Sequence, residues 1–280
     1  MDSNLSSTRI PLRKSLLRPV SCDNLVRLGT TGDGGYVVPG NEIHHIELLV
    51  SLGLSDNWEF DADFLERNPR ARVVGVDHTV GPWWFTRRVF LYSWKVAMYS
   101  LLFNRQKAEK YRSKRKNNLR YFSFFKGRNV HLKRRVSART SGVDMRLADI
   151  FEAHLARDGR CDVFLKMDIE GGEYEATEDI VRFHRRVRCI SGEFHDLDRR
   201  TTEFNECLER LSQHFAVVHV HGNNGAPYDG GNDFPSVVEI SFINRSLLSD
   251  KTAFSKETLP RAGLDFPNNP AEPDYNLRFD

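Results

Sequence analysis

The chain has 280 residues, a formal net charge of +3, 40% hydrophobic residues and 28% charged residues. These values exclude a fibrous or wholly disordered protein and suit one large α/β domain with an insertion, or two small domains. No apolar stretch is long enough to predict a membrane-spanning helix, and the N-terminus lacks the apolar segment of a signal peptide. The four cysteines have no CxxC or zinc-ligand spacing, which favours thiols in a reducing compartment, so we expect a cytoplasmic protein.

The positive charge is concentrated in one block. From Arg87 to Arg139 the sequence contains seventeen Lys or Arg residues and one acid, Glu109, so the rest of the chain has a net charge of −13. A basic block within an acidic protein needs its own explanation. The chain is therefore divided into four predicted parts: a basic, poorly structured lead-in (1–22), a main domain (23–248), a helical insertion within it (about 81–128) and an irregular tail (249–280).

The first predicted element is a β-hairpin. Asp33-Gly34-Gly35 is a strong turn sequence, and a strand begins at Tyr36. The same residues also suit a flexible backbone loop beside a ligand, and the sequence leaves both interpretations open.

A strand–helix–strand unit follows. The apolar run 46–52 predicts a buried strand that leads into a turn at Gly53, and the next helix must end before Pro69. The second strand, 71–76, ends on Asp77-His78, and Asp77 lies 24 positions after Gly53, close to the spacing of a ribose-binding carboxylate. Because the turn has one glycine and no GxGxxG pattern, NAD and FAD are disfavoured.

The insertion at about 81–128 interrupts this sheet. A helix over 84–102 would have two unlike faces, with Leu91, Trp94, Met98, Leu101 and Leu102 on one and Arg88, Tyr92, Lys95 and Tyr99 on the other. Three interpretations stay open. The apolar face packs on the domain as a helical cap, or the segment is a platform for an anionic membrane surface or an acidic substrate, or it binds nucleic acid without a recognisable motif.

The sheet then resumes, with strands predicted over 129–136, 163–167, 187–195, 215–221 and 236–242, and helices near 147–155, around Ala176, Ile180 and Phe183, and over about 200–213. The last strand has no helix before it, which predicts an antiparallel edge strand on an otherwise parallel sheet.

The stretch Cys161–Tyr174, CDVFLKMDIEGGEY, is the centre of the predicted site. Its apolar run suits a buried parallel strand, which would put Asp168 at the carboxyl end, where open α/β sheets bind ligands. Gly171-Gly172 permits a close approach, and Glu173 suits the positive N-terminus of the next helix. Polar groups also end other strands, and all should meet at one rim of the sheet: Ser51, Gly53, Asp77, His78, Glu193, His195, His219, His221 and Asn223.

These stretches together resemble the FkbM-type methyltransferases, which use S-adenosylmethionine (SAM). The resemblance rests on residues 50–58 (VSLGLSDNW), 73–77 and 165–173 (LKMDIEGGE), with a KxDxEGxE core as the most specific element, and on the Asp33 loop, 192–195 and 219–224. It covers about residues 23–79 and 129–245. It implies an α/β fold with a Rossmann-like SAM-methyltransferase sheet, mostly parallel with an antiparallel edge strand, and leaves the basic helical insertion unexplained.

The resemblance also implies a set of SAM-binding residues, namely Asp33, Gly34, Gly35, Ser51, Gly53, Leu54, Asp77, His78 and Asp168. Asp77 would accept hydrogen bonds from both ribose hydroxyls. Many SAM enzymes have an acid and several glycines in the first turn, where this chain has Ser51 and Gly53. Either Asp168 or the Asp33 loop could therefore hold the ammonium group.

Methyl transfer to a hydroxyl requires a base beside the acceptor oxygen. His195 is the first candidate because histidine titrates near neutral pH, His221 is the alternative, and Asp168 and Glu193 are further catalytic candidates. A divalent metal held by Asp168, Glu193 and His195 or His221 is a second possibility that we do not favour, although the ligand types fit.

The predicted function is SAM-dependent O-methylation of a hydroxyl on a sugar, glycan or related natural product. A lipid-linked acceptor is included if the insertion docks on an anionic leaflet at the inner membrane face. The alternative is a non-catalytic nucleotide- or SAM-binding module whose basic insertion binds nucleic acid with strong salt dependence.

Overall fold

A computed structural model describes residues 10–156, 160 and 162–279 of the chain, which fold around a central β-sheet. The strands are β1 (Leu25–Gly29), β2 (Gly35–Pro39), β3 (Leu48–Leu52), β4 (Arg72–Val76), β5 (Val130–Leu132), β6 (Arg135–Val136), β7 (Asp144–Met145), β8 (Val163–Met167), β9 (Val187–Phe194), β10 (Phe215–Gly222), β11 (Tyr228–Asp229), β12 (Phe234–Pro235) and β13 (Val238–Asn244). The helices are α1 (Gly40–Ile43), α2 (Glu59–Arg67), α3 (Pro82–Leu101), α4 (Arg105–Phe124), α5 (Leu147–His154), α6 (Glu173–Arg182) and α7 (Thr201–Ser212).

The central sheet has the order β10-β13-β9-β8-β3-β4-β5, and β13 is antiparallel to both of its neighbours. The pairs among β9, β8, β3, β4 and β5 are parallel. Every residue of β3 and β8 is buried, as expected for apolar strands with helices on both faces. The predicted α/β fold, with a Rossmann-like sheet that is mostly parallel and includes an antiparallel strand, is confirmed.

The antiparallel strand lies one place inward from the edge at which the sequence pattern predicts it. β13 sits between β9 and β10, so β10 forms that edge of the sheet. All seven residues of β13 are buried, polar ones included, so a strand that alternates in sequence is covered on both faces here. The lack of a helix before this strand correctly predicts that it is antiparallel, but its place in the sheet is decided by tertiary packing.

The sheet changes direction between β3 and β8. The chain continues from β3 through α2 to β4 on one side, and it reaches β8 on the other side only after β5 and α5. The carboxyl ends of these two strands are paired, Leu52 beside Met167. Open α/β sheets bind ligands in the crevice at such a switch point, which here is formed by the two following residues, Gly53 and Asp168.

Two segments differ from their predictions. Residues 129–136 do not form one strand, because the amide of Arg134 turns back onto the carbonyl of Leu132 and separates β5 from β6. In the lead-in, predicted to be poorly structured, Leu12 and Leu17 are buried in the main core, because isolated leucines anchor this polar stretch without any periodicity. Residues 1–9 and Cys161 lie outside the described residues, whereas Cys189 and Cys207 are buried and Cys22 is half-buried.

The tail, 249–279 as described, is irregular as predicted, and it is tied to the domain by both apolar and charged groups. Leu259 and Leu277 belong to the main hydrophobic core. Asp265 lies 2.8 Å from Nε2 of His219, and Asp274 lies 2.9 Å from Nε2 of His221.

The basic insertion forms a hairpin of two helices, α3 and α4. Tyr99 stacks on Tyr111 along the hairpin, with ring centroids 5.5 Å apart, and at the base Phe85 stacks on Tyr121 at 3.9 Å. Its base also contacts Trp58, at the start of α2. Among the helices that the structure describes, none has the length and apolarity needed to cross a membrane.

Candidate active site

The carboxyl ends of β3, β4, β8 and β9 open into a cleft of about 1150 Å³. Its lining includes nine of the twelve residues predicted to bind SAM or to act in catalysis, which are Asp33, Gly34, Gly53, Leu54, Asp77, His78, Asp168, Glu193 and His195, and it also includes Asn223. Three other candidates lie elsewhere. Ser51 and Gly35 are buried within β3 and β2, and His221 is buried in β10 against the tail. Strands β1 and β2 form the predicted β-hairpin, and Asp33 and Gly34 in its turn line the cleft.

The lining of the cleft is acidic. Its described residues include eight carboxyl side chains (Asp33, Asp56, Asp61, Asp77, Asp168, Glu170, Glu175 and Glu193) and three Lys or Arg side chains (Arg134, Arg135 and Lys166). Burial and the negative charges of Asp168 and Glu239 raise the pKa of Asp33. This shift is the expected response of a carboxyl group to burial beside other carboxylates. Such a cleft attracts a cationic ligand and repels a pyrophosphate.

Gly53 allows the two strand ends to meet. Its backbone is left-handed, with φ of 80°, and a Cβ added there would lie 1.7 Å from the carbonyl oxygen of Asp168. Nζ of Lys166 donates to the carbonyl of Gly53 at 2.9 Å and so ties β8 to this turn. A glycine is therefore required at the switch point on grounds of both conformation and space.

The carboxylate of Asp77 holds two loops together. One oxygen accepts from the amides of Leu54 and Ser55 at 3.0 and 2.8 Å, and the other accepts from the amide and hydroxyl of Thr79, both at 2.6 Å. Burial would raise the pKa of Asp77, but these hydrogen bonds outweigh it and lower the pKa. The sequence spacing did not indicate this role, and a ribose hydroxyl would have to displace one of the present donors.

Asp168 is held by two residues that the sequence analysis assigned no role. The hydroxyl of Tyr36 donates to Oδ2 of Asp168 at 3.1 Å, and Nζ of Lys166 lies 3.6 Å from the same oxygen. Lys166 is 5% exposed, and a lysine within an apolar strand is the signal that could have revealed it. Tyr36 carries no such signal, because it reaches Asp168 from 132 positions away in the sequence.

Glu193, His195 and Asp168 form a cluster whose ligand atoms lie within 4.8 Å of one another. Glu193 is 4% exposed and accepts a hydrogen bond from the side-chain amide of Asn223 at 2.6 Å. Burial and the charges of Asp168 and Glu239 raise the pKa of Glu193 to about 8. A carboxylate whose pKa lies near physiological pH is suited to general base catalysis.

His195 is held by a buried glutamate. Nδ1 of His195 lies 3.2 Å from Oε1 of Glu173, which also accepts from the amides of Ile169 and Gly171. Burial lowers the pKa of His195, but the hydrogen bond to Glu173 and the charges of Glu173, Glu193 and Asp168 outweigh it and raise the pKa to about 9. The raised pKa favours the protonated form of His195, so Glu193 is the better candidate for the base.

The other histidine candidate, His221, lies in an ion-pair network. Its side chain is 1% exposed, with Nδ1 3.1 Å from Glu239 and Nε2 2.9 Å from Asp274 of the tail. Burial lowers the pKa of His221, but the two carboxylates outweigh it and raise the pKa to about 10. This arrangement suits attachment of the tail rather than proton transfer in the cleft.

We expect the free energy of unfolding to fall as pH rises from about 6.5 to about 10, because His221 binds its proton more tightly in the folded chain than in the unfolded one. Its contribution is complete below the unfolded pKa and is lost through the folded pKa. In His221→Gln the fall should be shallower by about 1.4 kcal/mol per pH unit at most. Urea unfolding across this range measures it. The exposed control His45→Gln should keep the wild-type slope, and an unchanged slope in His221→Gln would contradict the assignment.

No family model matches the chain, and neither does any curated protein. Solved structures with a similar chain path include the fibrillarin pre-rRNA processing protein of Methanococcus jannaschii, with 9% identity and a TM-score of 0.36 over 72% of this chain and 68% of that one. An rRNA methylase from Streptococcus thermophilus has 10% identity and a TM-score of 0.34, over 73% and 93% of the two chains. The precorrin-6Y C5,15-methyltransferase of Geobacter metallireducens GS-15 has 13% identity and a TM-score of 0.35, over 73% and 84%. At these values the likeness concerns chain path alone.

Proposed function

We propose that the protein is a SAM-dependent O-methyltransferase of the FkbM type. The observation that carries the proposal is the acidic cleft at the switch point, where Gly53 and Asp168 meet. SAM carries a sulfonium and an ammonium group, and an acidic lining favours both. The same lining, with a single glycine in the first turn, disfavours the pyrophosphate of NAD or FAD.

Bound SAM would supply a methyl group activated by the positive sulfur. Gly53 and Leu54 would contact it through the backbone, and Asp77, beside His78, would bind the ribose after one of its loop donors gives way. Asp168 and Asp33 are both placed in the lining to hold a positive group of the ligand. The donor set of this cleft therefore fits SAM.

Glu193 would act as the general base. Its carboxylate takes the proton of the acceptor hydroxyl while the acceptor oxygen attacks the methyl carbon, and the carbon–sulfur bond breaks to leave a neutral thioether. The cationic His195 and the amide of Asn223 lower the pKa of Glu193 and so keep part of it ionised near neutral pH. Their role is to position and tune the base.

The cluster of Asp168, Glu193 and His195 also has the ligand types of a divalent metal site. We do not favour a metal here, because the ammonium of Lys166 already lies 3.6 Å from the carboxylate of Asp168. A cation beside this carboxylate repels a second one.

The acceptor we propose is a hydroxyl of a sugar, glycan or related natural product. A cleft of about 1150 Å³ has room for SAM and an acceptor together. Asn57, Asn223 and Asn268 line it beside the carboxylates, and amide and carboxylate groups suit an acceptor rich in hydroxyls.

Calorimetric titration of SAM and S-adenosylhomocysteine tests this proposal. We expect micromolar binding of both by the wild type and a loss of about tenfold or more in SAM affinity in Asp168→Asn, since one opposite charge is removed. Equal losses for both ligands would place Asp168 at the ammonium group, and a larger loss for SAM would place it at the sulfonium. The affinities of Asp33→Asn for SAM and S-adenosylhomocysteine are measured and interpreted in the same way.

Asp56→Asn is the matched control, because Asp56 also lines the cleft but its side chain is 52% exposed. It should change either affinity by less than about twofold, as expected for an exposed charge. Failure of the wild type to bind either ligand would falsify the proposed function.

A further inference from the structure

The outward face of α3 is apolar. Trp83, Phe90, Trp94 and Leu101 recur at helical spacing, and they are 73%, 72%, 62% and 79% exposed. The opposite face carries the tyrosines that stack on α4. This orientation is the reverse of a helical cap, in which the apolar face would pack on the domain. Single exposed apolar residues are ordinary, but a continuous row marks an interaction surface.

The turn at the tip of the hairpin extends this surface. Leu102 and Phe103 are 66% and 92% exposed, and Phe103 has a left-handed backbone with φ of 53°. Glycine or asparagine adopts this conformation at lower cost, and a polar side chain would be better solvated. Local folding gives no reason for phenylalanine at this position, whereas transfer of its ring into an apolar medium does.

Positive charge adjoins the apolar tip. Eight Lys or Arg residues and one acid lie in α4, and the segment 82–128 as a whole has a net charge of +12. Arg105 and Lys107 lie two and four positions after Phe103 in the chain, and both are exposed. Near an anionic bilayer each such residue adds to the attraction, which falls off within a Debye length.

We propose that this hairpin docks the protein on an anionic lipid bilayer, with the α3 row and the tip in the interfacial layer and the basic side chains at the headgroups. A nucleic acid would use the charge and the aromatic rings, but it leaves the aliphatic Leu101 and Leu102 without a partner. A second copy of the chain would bring an equally positive hairpin, which repels the first. This inference goes beyond the proposed methyl transfer and does not depend on it.

The base of the hairpin lies beside the cleft. Phe85 and Tyr121 share a buried cluster with Leu54, which also lines the cleft. Each helix has 20 residues, which correspond to a length of about 30 Å. Docking would therefore keep the cleft within about one helix length of the bilayer, a distance suited to an acceptor carried on a lipid.

Vesicle flotation with the full chain tests the proposal, using phosphatidylcholine alone and an equal mixture with phosphatidylglycerol. The wild type should bind the anionic vesicles at low salt about tenfold or more tightly than the neutral ones. The triple variant Leu101→Ser/Leu102→Ser/Phe103→Ser should lose about tenfold to a hundredfold in partitioning, because three apolar side chains no longer enter the interface. Arg112→Glu/Lys114→Glu/Lys116→Glu should lose the preference for the anionic vesicles.

The matched control is Ile10→Ser/Val143→Ser/Phe254→Ser, which removes three apolar side chains, 49%, 41% and 53% exposed, outside the hairpin. It should bind as the wild type does, and circular dichroism should be unchanged in every variant. Three results would overturn the proposal: no vesicle binding by the wild type at low salt, equal binding by the tip variant, or binding of single-stranded RNA without binding of vesicles. A wild-type dimer that the tip variant abolishes would reassign the surface to a second copy. Binding of SAM is measured separately, so failure here leaves the proposed function intact.

Discussion

Gly53→Ala should destabilise the protein by about 4 kcal/mol or more and abolish the binding of SAM and S-adenosylhomocysteine. The new Cβ would lie 1.7 Å from the carbonyl oxygen of Asp168, whose backbone is held in place because its amide donates to the carbonyl of Leu52 at 2.9 Å. The ends of β3 and β8 would have to separate, which breaks the hydrogen bond from Lys166 to the turn and opens the floor of the cleft. Urea unfolding and calorimetric titration measure the two effects.

Gly263→Ala is the matched control for this substitution. Gly263 has the same φ of 80°, but a Cβ there would meet nothing within 4 Å. Its cost should be about 1–2 kcal/mol, the penalty of a left-handed backbone alone, and ligand binding should be kept. If the two substitutions lower the free energy of unfolding equally, the left-handed backbone, and not the close approach to Asp168, is what requires a glycine at Gly53.

Glu193→Gln should lower kcat by about 10²- to 10⁴-fold with SAM affinity nearly unchanged, because the variant keeps the shape of the side chain and removes the proton acceptor. In the wild type, activity should rise as pH passes through about 8, since the base must be ionised and the pKa of Glu193 is raised to that value. In Glu193→Gln this rise should be absent. The pH dependence of kcat, with a hydroxyl acceptor identified by screening, measures both.

Two neighbouring substitutions and one treatment separate the role of Glu193 from simpler explanations. The hydrogen bond from Asn223 and the charge of His195 both lower the pKa of Glu193, so Asn223→Ala and His195→Gln should each move the rise in activity to higher pH. A structural role alone would lower activity without moving the pH profile.

Exhaustive chelation should leave the activity intact. Loss of activity that Mg²⁺ or Mn²⁺ restores would identify Asp168, Glu193 and His195 as metal ligands.

Local sequence patterns were sufficient to predict the elements that form the cleft. The apolar runs of β3, β4 and β8 are short, are bounded by turns and end on polar residues, so each predicts both a strand and the residue at its carboxyl end. Parallel strands bring those ends to one rim, which is why Gly53, Asp77 and Asp168 lie in one cleft as expected. The hairpin at Asp33 follows from turn residues alone.

Only the tertiary structure decided which side chains are in contact. Those contacts in turn determine the pKa values of the site residues. Tyr36 reaches Asp168 across 132 positions, and His221 reaches Asp274 across 53, so no local pattern could predict either contact. The sequence places both His195 and His221 at the end of a predicted strand and does not distinguish their environments. The pKa of each depends on the carboxylates that pack around it.

The same limit applies to the insertion. The sequence determined that α3 has an apolar face and a face of tyrosines and basic residues, but not which of the two the fold would cover. Tyr92 and Tyr99 stack on Tyr111 of α4, so the apolar face is left outside. Amphipathicity is a property of one helix, whereas burial depends on the partner that the chain supplies, and here that partner is a basic helix with a tyrosine on its inner face.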